Sequence, residues 1–113
     1  MKSIIGNVLM SFVILGWIKA EITFPEHGVT LNYIHIMFRW TQEPDCNLYH
    51  LIVSNSLNET VINIHTDQMI YIDKDNFIWD QNYVAILTPI YANENNAQIS
   101  DTISFSIGTI CIT

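Results

Sequence analysis

An all-β sandwich of about seven strands is the fold this sequence predicts, and three observations carry it. Apolar and polar residues alternate with a period of two through most segments after residue 20. No segment there sustains a helical period, and runs of Asn, Asp and Ser break the alternation where turns belong. The 113 residues, 50% hydrophobic and 13% charged, suffice for one ordered domain with a core and leave little room for a second.

The first twenty residues stand outside that fold. Lys2 is followed by an uncharged, largely apolar stretch from Ser3 to Ile18, then by Lys19 and Ala20 ahead of the acidic Glu21. This is the layout of a secretory signal helix. The stretch is 16 residues long, short of the roughly 20 that span a bilayer core, so removal after Ala20 is expected. Cleavage after Gly16 or retention as a membrane anchor are the alternatives. On this reading residues 1–20 are a signal peptide, residues 21–113 the domain, and the mature chain is secreted.

The strands follow in order. The first runs from Ile22 to Phe24 and continues past Pro25 and Gly28 to Val29 and Leu31. In the second, Ile34, Ile36, Phe38 and Trp40 share a core face against His35, Met37 and Arg39. The third sets Tyr49, Leu51 and Val53 against His50, Ile52 and Ser54, before the turn-forming Ser54-Asn55-Ser56-Leu57-Asn58. Val61 to His65 and Met69 to Asp73 are the fourth and fifth. Tyr83 to Ile90 is a long sixth, with Tyr83, Ala85 and Leu87 opposing Val84, Ile86 and Thr88. After the polar loop Asn93 to Gln98, Ile103, Phe105 and Ile107 alternate with Ser104 and Ser106 in the seventh.

Trp40 on the second strand, Tyr49 opening the third and Phe77-Ile78-Trp79-Asp80-Gln81-Asn82-Tyr83 leading into the sixth resemble a fibronectin type III domain of the immunoglobulin-like superfamily, over nearly all of residues 21–113. The resemblance implies a Greek-key sandwich in which Trp40 packs between the sheets. It also implies a corner in which Tyr83, six residues after Phe77, turns its hydroxyl back to the preceding loop. A buried ring with one polar tip suits that place, filling the core while satisfying a loop backbone group. Phe77 stands where the family usually has leucine, and the proline and glycine common in between are missing. Pro25-Glu26-His27-Gly28 and Phe38-Arg39-Trp40 look most like divergent modules of secreted proteins, often found beside catalytic domains.

Charge narrows the partners. The whole chain carries net charge -7, and residues 21–113 hold Arg39 and Lys74 against 11 acids, which is 2 minus 11, or -9. Nucleic acid is excluded as a partner, since phosphate contact requires clustered cations. Cys46 and Cys111 would close a long loop if bridged, a stabilisation of about 4 kcal/mol in the chain-entropy model. In a sandwich of this topology the third and seventh strands run parallel, with Cys46 ahead of one and Cys111 beyond the other. The gap is on the order of 25 to 30 Å, and bridged Cα atoms lie within about 7 Å. No internal bridge is expected: Cys46 is read as a partly buried loop residue, and Cys111 is left unpaired or for pairing with another chain.

No catalytic residues, cofactor or metal are assigned. G-x-S-x-G, glycine-rich phosphate loops and paired carboxylates in a cleft are absent from the pattern. His27, His35, His50 and His65 lie on different segments without H-x-x-x-H spacing. His50 and His65 can face each other across adjacent strands, where the plain reading is surface histidine. Asp73, Asp75 and Asn76 have some of the look of a calcium loop but lack its central glycine and distal glutamate, so a solvated turn is expected. Asn58-Glu59-Thr60 is a sequon on an exposed turn, a site for a glycan in a eukaryotic secreted chain. His50, Ile52, Val84 and Ile86 should point outward from the sheet that carries the third, sixth and seventh strands, a candidate interaction face, although strand propensity alone also favours β-branched residues there. The function expected is a secreted, non-catalytic module that binds protein or carbohydrate or spaces domains. The alternative is an N-terminal accessory module of a larger secreted polysaccharide-acting enzyme whose catalytic part this chain lacks. A membrane enters only through an uncleaved leader.

Overall fold

The computed structural model describes residues 20–44, 46–91 and 99–109. The expected leader up to residue 19, the polar loop at 93–98 and Cys111 lie outside them. Eight strands are present among the described residues: β1 (Ile22–Phe24), β2 (Val29–Leu31), β3 (Ile36–Trp40), β4 (Cys46–Asn55), β5 (Thr60–Thr66), β6 (Ile70–Asp73), β7 (Gln81–Tyr91) and β8 (Asp101–Ile107). They form two sheets, β1-β3-β6 and β2-β8-β7-β4-β5. The chain passes between the sheets after β1, β2, β3, β5 and β6, and makes hairpins of β4-β5 and β7-β8. This is the all-β sandwich with Greek-key connections that the alternation predicts.

The count differs by one because the first strand is split. Pro25 brings no N–H to a ladder and ends β1, which pairs with β3. Gly28, at φ 83°, then turns the chain in a conformation open to glycine, and its N–H donates to the Ser104 carbonyl at 2.6 Å. His27 Nδ1 accepts the Ser104 N–H at 3.1 Å. These contacts deliver β2 to the other sheet, parallel to β8. One run of sequence thus edges both layers.

Cys46 also differs from expectation. It is the first residue of β4 and buried, its thiol donating to the carbonyls of Leu48 at 3.2 Å and Ile90 at 3.4 Å. It carries no disulfide. Asn55 at the far end of β4 faces Tyr83, which faces Phe105 near the end of β8, so β8 finishes at the pole opposite Cys46.

Inward residues of both sheets build the core: Ile36, Phe38 and Trp40 from β3, Tyr49, Leu51 and Val53 from β4, Tyr83, Ala85 and Leu87 from β7, and Ile103, Phe105 and Ile107 from β8. Aromatic rings gather at the two poles. Phe38, Phe77, Tyr83 and Phe105 pack with centroids 4.7 to 5.9 Å apart at one, while Trp40 and Tyr49, 6.0 Å apart, occupy the other. Offset and edge contacts of this kind add to simple burial.

Candidate functional site

A rigid two-layer core leaves two kinds of place for function: the loops at the poles and the outward sheet faces. At the first pole Tyr83 is 2% exposed and its Oη accepts the Ile78 N–H at 3.1 Å. Phe77 meets the same ring edge-on at 4.7 Å. The corner closes without glycine because Asp80 takes the left-handed conformation, at φ 61°. Its N–H donates to the Gly108 carbonyl at 3.0 Å, and its Oδ1 accepts Thr109 Oγ1 at 2.8 Å. Every one of these groups is occupied in holding the loop.

The opposite pole holds a buried polar cluster that sequence reading missed. Tyr49 Oη accepts the Glu43 N–H at 2.8 Å and donates to the Cys46 carbonyl at 3.4 Å. Glu43 is only 6% exposed, and its Oε1 has no partner among the described residues. Burial pushes the Glu43 carboxyl above its ordinary value, a hydrogen bond from Tyr91 offsetting part of the effect. Tyr91 is pushed up to about 12, first by burial and then by the Glu43 charge beside it. Trp40 Nε1 is likewise buried and unpartnered among the described residues.

Acidic turn residues prove structural. Asp73 is buried; its Oδ1 accepts the N–H groups of Asp75 at 3.0 Å and Asn76 at 2.8 Å, and its Oδ2 accepts Asn76 Nδ2 at 2.6 Å. That carboxylate closes the turn after β6, with both oxygens engaged by it. Asn58 sits exposed in the β4–β5 turn at φ 64°, its N–H donating to the Asn55 carbonyl at 3.0 Å.

On the outer face of the five-stranded sheet, Ile52 and Ile86 are direct register partners and His50 lies opposite Thr88. The structure brings His50, Ile52, Val84 and Ile86 to one face, but Ile52 and Ile86 are half-buried by their neighbours. Val84, 39% exposed, lies at the edge of an open groove of about 370 Å³ whose other walls include Asn55, Ser56, Asn82, Ser104 and Ser106.

The more exposed aliphatic surface lies on the other layer. Ile70 is 41% and Ile72 54% exposed on the outer side of β6, and in register Ile72 pairs with Met37 and Ile70 with Arg39. β6 is an edge of the three-stranded sheet. Arg39 on this face and Lys74 at the end of β6 are the two cations of residues 21–113. Parity could have found the patch, since Phe38 and Tyr71 face the core and place their neighbours outside.

No protein-family model matches this chain, and no curated protein does. Solved structures do. The chain is similar to fibronectin(III)-like modules of Clostridium thermocellum CbhA, at 12% identity over 82% of this chain and 99% of that one, with a TM-score of 0.52. It is also similar to FN3tt, at 13% identity over 77% of this chain and 95% of that one with a TM-score of 0.48, and to a mutant of FN3tt, at 13%, 73%, 90% and 0.47. With the strand order above, the first likeness shows the fold: a fibronectin type III-like sandwich.

Proposed function

We propose that this chain is a secreted, non-catalytic interaction module that docks a protein surface through the outer face of β1-β3-β6. The observation that carries the reading is the pair Ile70 and Ile72, exposed together on an edge strand next to Met37 and Arg39. Soluble sandwiches usually turn polar side chains outward from an antiparallel sheet, and an edge strand with aliphatic side chains invites a partner. The side chains are aliphatic and flank a guanidinium, which suits an apolar protein surface with an acidic rim; sugar binding of the stacking kind uses aromatic rings. Among the described residues, Glu43 is buried and both oxygens of Asp73 hold its own turn, which supports a non-catalytic role.

A second reading rests on the likeness to CbhA modules: the domain serves as one unit beside others, its sheet face packed on a neighbour in the same polypeptide. A photo-crosslinking residue placed at position 72, in protein made by its natural source, separates the two. A discrete crosslinked partner that disappears with Arg39→Glu supports docking to another chain, and an intramolecular product supports the second reading. Equal, diffuse products from positions 72 and 102 overturn both. Intact mass of the same material reports leader removal and the proposed glycan on Asn58.

A further inference from the structure

We propose that His50 and His65 form a surface site for one borderline divalent transition ion, Zn²⁺ or Cu²⁺, with Asn63 as a positioning residue. The two histidines are direct register partners on β4 and β5, on the outer face of the five-stranded sheet. Their rings stack with centroids 4.1 Å apart and planes within 10° of parallel. Tyr49 and Leu51 on either side of His50 are fully buried, so the backbone beneath the pair is fixed by the core.

Asn63, two residues from His65 on the same side of β5, places Oδ1 at 2.6 Å from His50 Nε2. An amide oxygen can only accept, so Nε2 donates and the lone pair of His50 rests on Nδ1. A ring N–H held by an oxygen while the other nitrogen stays basic is the arrangement that orients metal-ligating histidines. Two nitrogens bound to one zinc ion at about 2.0 to 2.1 Å are roughly 3.3 Å apart. The lone pairs lie in the ring planes, so the two rings must turn out of their stack to converge on one ion, while the register partnership of His50 and His65 keeps them neighbours.

Among the described residues no group of three or more His, Cys, Asp or Glu gathers around one point, so water fills the remaining positions. The site is therefore open and exchangeable. Its occupation would pin β5, the edge strand of its sheet, to β4. The acidic surface of the chain raises the local concentration of any cation, and imidazole selects transition ions over the hard cations that carboxylates take.

Zinc titration of the metal-free protein at pH 7.5, followed by NMR of the imidazole resonances, tests the proposal. Saturation at one equivalent is expected, with shifts at His50 and His65 and none at His27 or His35. His65→Ala should lower the affinity at least about tenfold and Asn63→Ala by a smaller factor. Unchanged affinity in His65→Ala, shifts centred on His27 or His35, or equal response to Mg²⁺ overturns it. Should a variant unfold, the resonances of the unaltered chain decide.

Discussion

Replacing Tyr83 by Phe isolates one hydrogen bond from all the packing around it. The ring stays, so its contacts with Phe77 at 4.7 Å and Phe105 at 5.6 Å are retained. What goes is the acceptor for the Ile78 N–H at 3.1 Å, a bond between a fully buried ring and a partly buried amide. A typical internal hydrogen bond contributes about 0.5 to 1.5 kcal/mol net, and an orphaned donor adds a desolvation cost of about 1 to 3 kcal/mol where water cannot reach it. The Ile78 side chain is 58% exposed, so water reaches the freed amide in part and the lower range applies. We expect a loss of about 1 to 2 kcal/mol, and in a domain of this size each kcal/mol lowers Tm by about 4 to 8 °C. Urea unfolding monitored through the buried Trp40 measures it, with Tyr33→Phe, at a position 42% exposed, as the control. A Tyr83→Phe loss within the roughly 0.5 kcal/mol spread of surface substitutions would refute the corner's role as a pin on the loop.

Two further changes probe buried carboxyls. Glu43 has its folded pKa raised above 4.5, so the native state binds more protons than the unfolded chain just above that pH. The contribution of Glu43 to stability is then most favourable below pH 4.5 and is lost as pH rises through the raised value. Glu43→Gln should remove that slope, so the variant gains on the parent as pH rises from 4 to 7 in denaturant titrations; a gain that grows on acidification contradicts the assignment. Asp73→Ala strips the acceptor from two backbone N–H groups and should cost about 2 to 4 kcal/mol. Thermal unfolding of the parent should not respond to calcium, because both oxygens of that carboxylate already hold its own turn.

The interior was legible where alternation is undisturbed. From Tyr49 to Val53, Tyr83 to Leu87 and Ile103 to Ile107 every second residue is buried, because one side of each strand faces a closed layer. Legibility failed where the period slips. Cys46 and Tyr49 are both buried although three residues apart, which a regular strand forbids; a β-bulge between Cys46 and Leu48 restores the phase. Nothing local to Asn47 announces that slip, so β4 reads as starting three residues late. The halves of the first strand fail for another reason. Pro25 and Gly28 announce a break, but which sheet each half joins depends on β3 and β8, far along the chain. The sequence reading of the fifth strand assigns no faces; the parity of β6 places Ile70 and Ile72 outside.

Glu43 is the residue that sequence reading had least means to find, and its burial follows from the fold's use of tyrosine. Both poles are pinned alike: Tyr83 accepts the N–H of Ile78, five positions earlier, and Tyr49 accepts that of Glu43, six earlier. At the first pole the pinned residue turns its side chain to solvent. At the second, the loop from β3 to β4 is short and leads straight into the bulge at Cys46, so holding the Glu43 amide against Tyr49 carries its side chain inward beside Tyr91. An isolated buried carboxylate is costly, and a single phenol satisfies only part of it. The raised pKa of Glu43 and its Oε1, unpartnered among the described residues, are two expressions of that same cost, imposed by the geometry that secures the loop. A buried acid in this sandwich is thus explained by backbone pinning before any chemistry is invoked, and the surfaces that remain for function are the outward faces of the sheets.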